Sequence, residues 1–173
     1  MKDASIRVVG IDPGLAITGV GIIDINGSNC RPVYCGCIVT KKELPAHIRL
    51  KQLYESFNGI IAKYGPGCMA IEELFFNTNV KTALLVGQAR GVLMLAATNN
   101  SLEVYQYTPL QVKQAIVGYG RATKEQIKYM LKTILCLKDG FLPSEDDAWD
   151  ALGIALCHGA MNKFQKKVSS FAK

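Results

Sequence analysis

Ile6-Arg7-Val8-Val9-Gly10-Ile11-Asp12-Pro13-Gly14 is a β-branched run that ends in a carboxylate and a turn. Val8 to Ile11 has the continuous apolar character of a strand buried on both faces. Asp12 closes that strand, and Pro13-Gly14 turns the chain back. An Asp before Pro-Gly can also do no more than cap a turn, so on its own Asp12 leaves two readings open. Thr18 to Ile25 reads as the returning strand, Asn26-Gly27 as a hairpin turn, and Val33 to Thr40 as a third strand. The chain therefore opens as an antiparallel meander.

The remainder alternates helix and strand. Pro45 to Tyr64 reads as a helix with Ile48, Leu53, Phe57, Ile60 and Ile61 near one face, broken by Pro66-Gly67. Cys68 to Glu72 is a short apolar strand, and Glu73 to Lys81 a loop carrying Phe75 and Phe76. Thr82 to Thr98 is a long helix in which Gly87 and Gly91, four apart, permit close packing against a neighbour. Glu103 to Tyr107 is the last strand. Thr108 caps a helix with Pro109 at its first position, running to about Val117. Gly118-Tyr119-Gly120-Arg121 is a flexible basic loop, Lys124 to Leu135 a helix, and Pro143-Ser144 introduces a final helix to about Phe164. Residues 1–5 and the basic tail Gln165 to Lys173 read as flexible and frayed. No linker or internal repeat divides the chain. The order predicts one α/β domain with a mixed five-stranded sheet and helices on both faces.

The 173 residues are 49% hydrophobic, which suffices for a full core, and carry a formal charge of +6. Net charge alone does not separate a nucleic-acid binder from a basic protein of another kind. The six cysteines form no C-x-x-C pair; Cys35 and Cys37 share a strand face without a partner pair to complete a zinc site. No signal-peptide pattern opens the sequence, and the apolar stretch Ala83 to Ala97 is too short to span a bilayer. A reducing cytoplasm is the expected setting.

Three further acids match Asp12. Glu72 and Glu73 end a strand and point to opposite faces, so only one enters a shared site; Glu72 closes the Met69-Ala70-Ile71 run. Ser144-Glu145-Asp146-Asp147 has the form of a capping box, so Asp147 also reads as helix-start decoration. Asp150 does not, because it lies among Ala148, Ala151, Leu152, Ile154 and Ala155 in a helix apolar nearly all round. Asp147 and Asp150 share a face, and two like charges in a dry site need a cation or a shared proton. Hard oxygen donors favour Mg²⁺ or Mn²⁺. Two ions roughly 4 Å apart would clamp a phosphodiester, one activating water and the other stabilising the leaving 3′-oxygen. Neither His47 nor His158 is needed as a base, and His158 reads as a partly buried structural residue.

Lys113, Arg121 and Lys124 surround the Gly118–Gly120 loop and suit a phosphate-contacting edge. Lys128 and Lys132 continue the Lys124 stripe and read as solvated. Phe75 and Phe76 either enter the core or present a ring that stacks on an unpaired base.

Together Gly10-Ile11-Asp12-Pro13-Gly14, Ala70-Ile71-Glu72, Gly87-Gln88-Ala89-Arg90-Gly91-Val92, Gln111-Val112-Lys113-Gln114 with Val117-Gly118, and Asp147-Ala148-Trp149-Asp150-Ala151-Leu152 resemble the RuvC family of crossover junction endodeoxyribonucleases, within the RNase H-like superfamily. The resemblance runs from about residue 6 to about 160. It implies a homodimer that binds four-way (Holliday) DNA junctions and makes paired symmetric nicks near the crossover with Mg²⁺, leaving 5′-phosphate and 3′-hydroxyl ends. It places Asp12, Glu72, Asp147 and Asp150 at the catalytic, metal-binding positions; the third of these varies between Asp and His in the family, and Glu145 and Asp146 stand beside it. Phe75 matches an aromatic that probes bases at the junction centre, and Lys113 and Lys124 match basic residues near the scissile phosphates. A RuvA–RuvB branch-migration complex is the implied partner. Three alternatives are another RNase H-like nuclease acting on RNA–DNA hybrids or other branched DNA, an ATP-binding domain of the actin and sugar-kinase type, and a non-catalytic junction binder. The second lacks a second lobe and phosphate loop, and the third has no use for four converging acids.

Overall fold

The computed structural model describes residues 5–73 and 80–171. Five strands, β1 (Ile6–Asp12), β2 (Ile17–Asn26), β3 (Asn29–Val39), β4 (Cys68–Glu72) and β5 (Glu103–Tyr107), form one sheet in the order β3-β2-β1-β4-β5. β1, β2 and β3 are antiparallel neighbours, whereas β4 and β5 run parallel to β1. This is the mixed five-stranded sheet that the alternation of elements predicts. Helices α1 (Ala46–Tyr64) and α2 (Val80–Asn99) cover one face, and α3 (Pro109–Val117), α4 (Lys124–Ile134) and α5 (Asp146–Phe171) the other.

Because side chains alternate along a strand, β1 feeds both cores. Val9 and Ile11 pack with Leu53, Phe57 and Leu93 under α1 and α2. Val8 packs with Leu152, Ile154 and Ala155 of α5. β4 follows the same parity, with Met69 and Ile71 on the first side and Cys68 and Ala70 on the second. Arg7 ties this frame together from one end. Its guanidinium grips both carboxylate oxygens of Asp24 at 2.7 and 2.8 Å and donates to the Tyr64 carbonyl at 2.6 Å, joining β1, β2 and the end of α1.

α5 comes unusually near the sheet. Gly10 and Gly21 stand opposite each other on β1 and β2, and Gly19 stands opposite Asp12. A Cβ on Gly10 would lie 2.1 Å from the Ala151 carbonyl oxygen. One on Gly21 would lie 2.6 Å from the Leu152 nitrogen, and one on Gly19 1.9 Å from the Asp147 carbonyl oxygen. Three glycines thus open a track in which the helix backbone rests on strand backbone, and Ala148, Ala151 and Ala155, fully buried, keep the helix side of the track small.

Local signals explain most boundaries. Gly27-Ser28 makes the β2–β3 turn, with Gly27 at φ +56° and Asn26 paired to Asn29. Thr108 and Gln111 form a reciprocal capping box at α3, with Pro109 following, and Gly118 ends the helix at φ +82°. Thr123 and Gln126 repeat the device at α4.

Several expectations are corrected. β3 begins at Asn29 rather than Val33, because Pro32 lies in an edge strand at the bulge where Ile22 and Ile23 face Tyr34 and Pro32, a place where a missing N–H is tolerated. Ile48 is exposed rather than part of the buried face of α1. Gly91 meets nothing from this chain within 4 Å. α5 runs to Phe171, so most of the stretch expected to fray after Phe164 is helical. Its first turn begins at Asp146, and the Ser144 hydroxyl donates to the neighbouring Glu145 carboxylate.

The glycine track gives a direct test. Gly10→Ala should destabilise the protein by about 1–3 kcal/mol, the usual range for overpacking. Gly59→Ala, in α1 where an added methyl meets nothing within 4 Å, should instead stabilise it by about 0.5–1 kcal/mol through helix propensity. Urea unfolding of both variants reads the difference, and equal behaviour would mean that α5 moves freely away from the strand.

Candidate active site

β1 and β4 are parallel neighbours in register, Ile11 beside Ile71, so the acids that follow, Asp12 and Glu72, stand side by side. Strand parity turns both towards α5. Glu73, of opposite parity, is exposed, and its N–H donates to the Tyr107 carbonyl at 2.8 Å. The Gly19 contact seats the first turn of α5 against the end of β1, which brings Asp147 beside Asp12, and Asp150 follows on the next turn. All four carboxylates are half-buried.

Their electrostatics record the convergence. Asp12 is pushed up from its ordinary 3.8 to about 7, first by burial and then by Glu72, Asp150 and Asp147, with Lys124 opposing. Burial also raises Glu72, helped by Asp150 and resisted by Lys113. Asp150 is raised by burial against the pull of Lys124. Asp146 differs. It faces outward and takes Lys124 at 3.3 Å and Lys128 at 2.6 Å, and the two ammonium groups hold its carboxyl below the usual range. The structure thereby separates the neighbours: Asp146 anchors α5 to α4, and Asp147 belongs to the field of Asp12.

A cavity of about 160 Å³ opens beside the acids. Glu72 and Asp150 line it together with Lys113 from α3, Lys124 from α4 and the apolar Val112, Ile116 and Ile127. Arg121 is exposed and immediately precedes Ala122 of the cavity wall. Lys128 is engaged by Asp146 rather than free in solvent, and Lys132 reaches Asp139 at 3.6 Å. Phe75 and Phe76 lie outside the described residues.

Among the described residues no three His, Cys, Asp or Glu side chains are drawn into a finished ligand cage. The chemistry of the donor set nevertheless fits a hard divalent ion. Every candidate donor is a carboxylate oxygen, and a cation among them relieves the mutual repulsion that keeps their protons on.

Two nearby residues were not assigned from sequence. Cys37, half-buried on β3, feels Asp147, Glu145 and Asp12 and hydrogen-bonds the Ala148 backbone. Burial first, then those acids, push its thiol up to about 11, so it is neutral at physiological pH. Its alternation with Cys35 on one strand face was the available signal. Arg90 of α2 donates through Nε to the Glu72 carbonyl at 3.2 Å. The signal there was the single charge between Thr82 and Thr98 of an otherwise apolar helix. His158 is buried, 2.8 Å from the Tyr107 hydroxyl and 3.6 Å from the Cys68 sulfur, and burial lowers its pKa. It is a structural residue remote from the acids' roles.

The architecture is RNase H-like. A family profile described as crossover junction endodeoxyribonuclease RuvC matches residues 8–158. A RuvC of Desulforamulus reducens is 52% identical over 151 residues, covering 87% of this chain and 91% of its own. One of Alkaliphilus oremlandii is 52% identical over 157 residues, covering 91% and 94%. The structure of Thermus thermophilus RuvC in complex with Holliday junction substrate superposes with a TM-score of 0.85 at 34% identity, covering 92% and 96%. The chain belongs to the RuvC family of crossover junction endodeoxyribonucleases, which are metal-dependent nucleases.

The Asp12 shift carries a stability consequence. A carboxyl raised in the folded state contributes stability below its unfolded pKa and loses it as pH rises through the folded value. Metal-free protein should therefore weaken between pH 4 and 7. Asp12→Asn should melt several degrees above the parent at pH 8 in EDTA, with the gap closing below pH 4. Thermal melts across that range check it; a lower melting point for the variant at pH 8 would contradict it.

Proposed function

We propose that this chain resolves four-way (Holliday) DNA junctions in homologous recombination and repair, cutting two strands symmetrically and leaving 5′-phosphate and 3′-hydroxyl ends. Asp12, Glu72, Asp147 and Asp150 are its catalytic and metal-binding residues, and Mg²⁺, which Mn²⁺ can replace, is its cofactor. The observation that carries this reading is the convergence of four half-buried acids from β1, β4 and α5 beside a cavity walled by Lys113 and Lys124.

The residues divide the work by charge. Lys113 and Lys124 meet the phosphates of the DNA, and their position beside Glu72 and Asp150 sets a phosphodiester against the acids. Arg121 extends this basic edge. Phe75, in the segment after Glu73, supplies the ring that stacks at the opened junction centre. Half-burial of the acids excludes bulk water and strengthens each of their interactions. When bound, the divalent ions activate water and stabilise the leaving 3′-oxygen. With Asp12 raised to about 7, protons compete with the divalent ion for the acids, so metal uptake strengthens as pH rises through that value.

Two cuts per junction call for two sites, hence a homodimer. Leu84, Gln88, Gly91 and Leu95 recur at helical spacing on α2. Leu84 and Leu95 are exposed at 63% and 55%, and Gly91 is open. That stripe is the surface assigned to the second copy. The RuvA–RuvB branch-migration complex is the assigned partner. Among the described residues no helix is long and apolar enough to cross a membrane, and the cytoplasm is the assigned location.

Cleavage of a synthetic four-way junction beside a linear duplex and an RNA–DNA hybrid, in Mg²⁺ and in EDTA, should give paired, ligatable nicks in the junction alone and only with Mg²⁺. Cutting of the hybrid instead would sink the assigned substrate. Asp12→Asn, Glu72→Gln and Asp150→Asn should abolish cleavage while leaving junction binding largely intact. Lys113→Ala and Lys124→Ala should each flatten the salt dependence of binding by about one unit of slope; an unchanged slope would remove that lysine from the contact set. Leu95→Lys should shift the dimer towards monomer in sedimentation velocity, and an unaltered dimer would place the interface elsewhere.

A further inference from the structure

The Gly87–Val92 segment has no part in the chemistry described so far, although it holds the single charge between Thr82 and Thr98, Arg90. Arg90 is half-buried, next to the fully buried Ala89 and one turn from Leu93. Such a cation needs oxygen partners, and it finds them at the end of the sheet. Nε donates to the Glu72 backbone carbonyl at 3.2 Å, and Nη2 donates to the Gln106 side-chain oxygen. Gln106 stands on β5 opposite Ile71, so the two prongs bridge β4 and β5 where their ladder ends.

The side from which Arg90 approaches matters. α2 packs with Val104, Met69 and Ile71, on the face of the sheet away from α5. The Glu72 side chain points to the α5 face, towards Asp150 and Lys113. Arg90 therefore holds the Glu72 peptide from behind, while the Glu73 N–H to Tyr107 carbonyl bond holds the next peptide in the plane of the sheet. A planar guanidinium with two donors fixes direction as well as distance, which a lysine ammonium does not. Strand ends otherwise fray, and a displacement of about 1 Å in a reacting group is worth roughly 100-fold in rate.

We propose that Arg90 is a positioning residue for Glu72, clamping its peptide carbonyl from the far face of the sheet so that the carboxylate is presented to the metal in one orientation. This rests on the reading of Glu72 as a metal-binding carboxylate.

The test uses full-length protein. Arg90→Met keeps the aliphatic stem and removes the donors, and Gln106→Ala removes one prong should the first variant fold poorly, as judged by its melting temperature. Mn²⁺ affinity of DNA-free protein, read by water-proton relaxation, should weaken in Arg90→Met. Single-turnover junction cleavage should fall roughly 10- to 100-fold and need more Mg²⁺ for half-maximal rate, with junction affinity in EDTA unchanged. Gln106→Ala should shift both in the same direction by less. In a Glu72→Gln background, Arg90→Met should weaken Mn²⁺ binding no further. Parental Mn²⁺ affinity and rate in Arg90→Met, additive weakening in the double variant, or a loss confined to junction affinity would each overturn the proposal. Normal cleavage by Glu72→Gln would instead overturn the reading beneath it, whereas an inactive Glu72→Gln beside an unaffected Arg90→Met defeats the clamp alone.

Discussion

The backbone contact between α5 and the β1–β2 pair governs the rest of the structure. Gly10, Gly19 and Gly21 remove the side chains that would hold a helix at its ordinary distance from a sheet, and the alanines of α5 remove them from the other side. The contact is unforgiving, because the atoms facing each missing Cβ are mostly main chain and cannot rotate away. It also fixes the position of the helix along the strands. That position sets Asp147 at the end of β1, and the parallel register of β1 with β4 sets Glu72 there too. A site assembled from three separated segments thus inherits its precision from main-chain geometry.

The same closeness creates an electrostatic debt. Acids brought together on a half-dry surface favour their protonated forms, and Asp12 at about 7 is the clearest sign. Lys113 and Lys124, which line the same cavity, offset part of it. Lys124 is shared with Asp146, which ties the start of α4 to the start of α5. Stability of the empty protein and readiness to take up divalent ions are therefore opposed properties of one cluster.

Sequence patterns exposed the frame well. The β1 run, the short β4 and the Thr108 cap each combine local propensity with hydrophobic period and lie where those signals place them, and the apolar α5 follows its pattern but runs on past Phe164 to Phe171. Asp12 and Glu72 stood out because a carboxylate at the end of an apolar run conflicts with its surroundings, and Asp150 because it lies within an apolar helix, whereas Asp147 read equally as helix-start decoration. What escaped depends on partners distant in sequence. Pro32 reads locally as a strand breaker, and only the edge position of β3 makes it acceptable. Ile48 fits a buried stripe by spacing but lies at the open start of α1. Gly19 and Gly21 look like ordinary turn or strand glycines until α5 is laid over them. Arg90 shows a conflict of charge in an apolar helix, but nothing local names its partner.

The chain order of these parts has a consequence for synthesis. The meander, α1 and β4 emerge first, carrying Asp12 and Glu72 on an apolar sheet face that α5 alone can cover at the glycine track. A nascent chain therefore holds half of the acid cluster and an uncovered core until the residues after Asp146 leave the ribosome. The complete acid cluster and protection of that face arrive together, with the last helix. A chain cut short before Asp147 is thereby left without two of its four acids and with the apolar face of the glycine track uncovered.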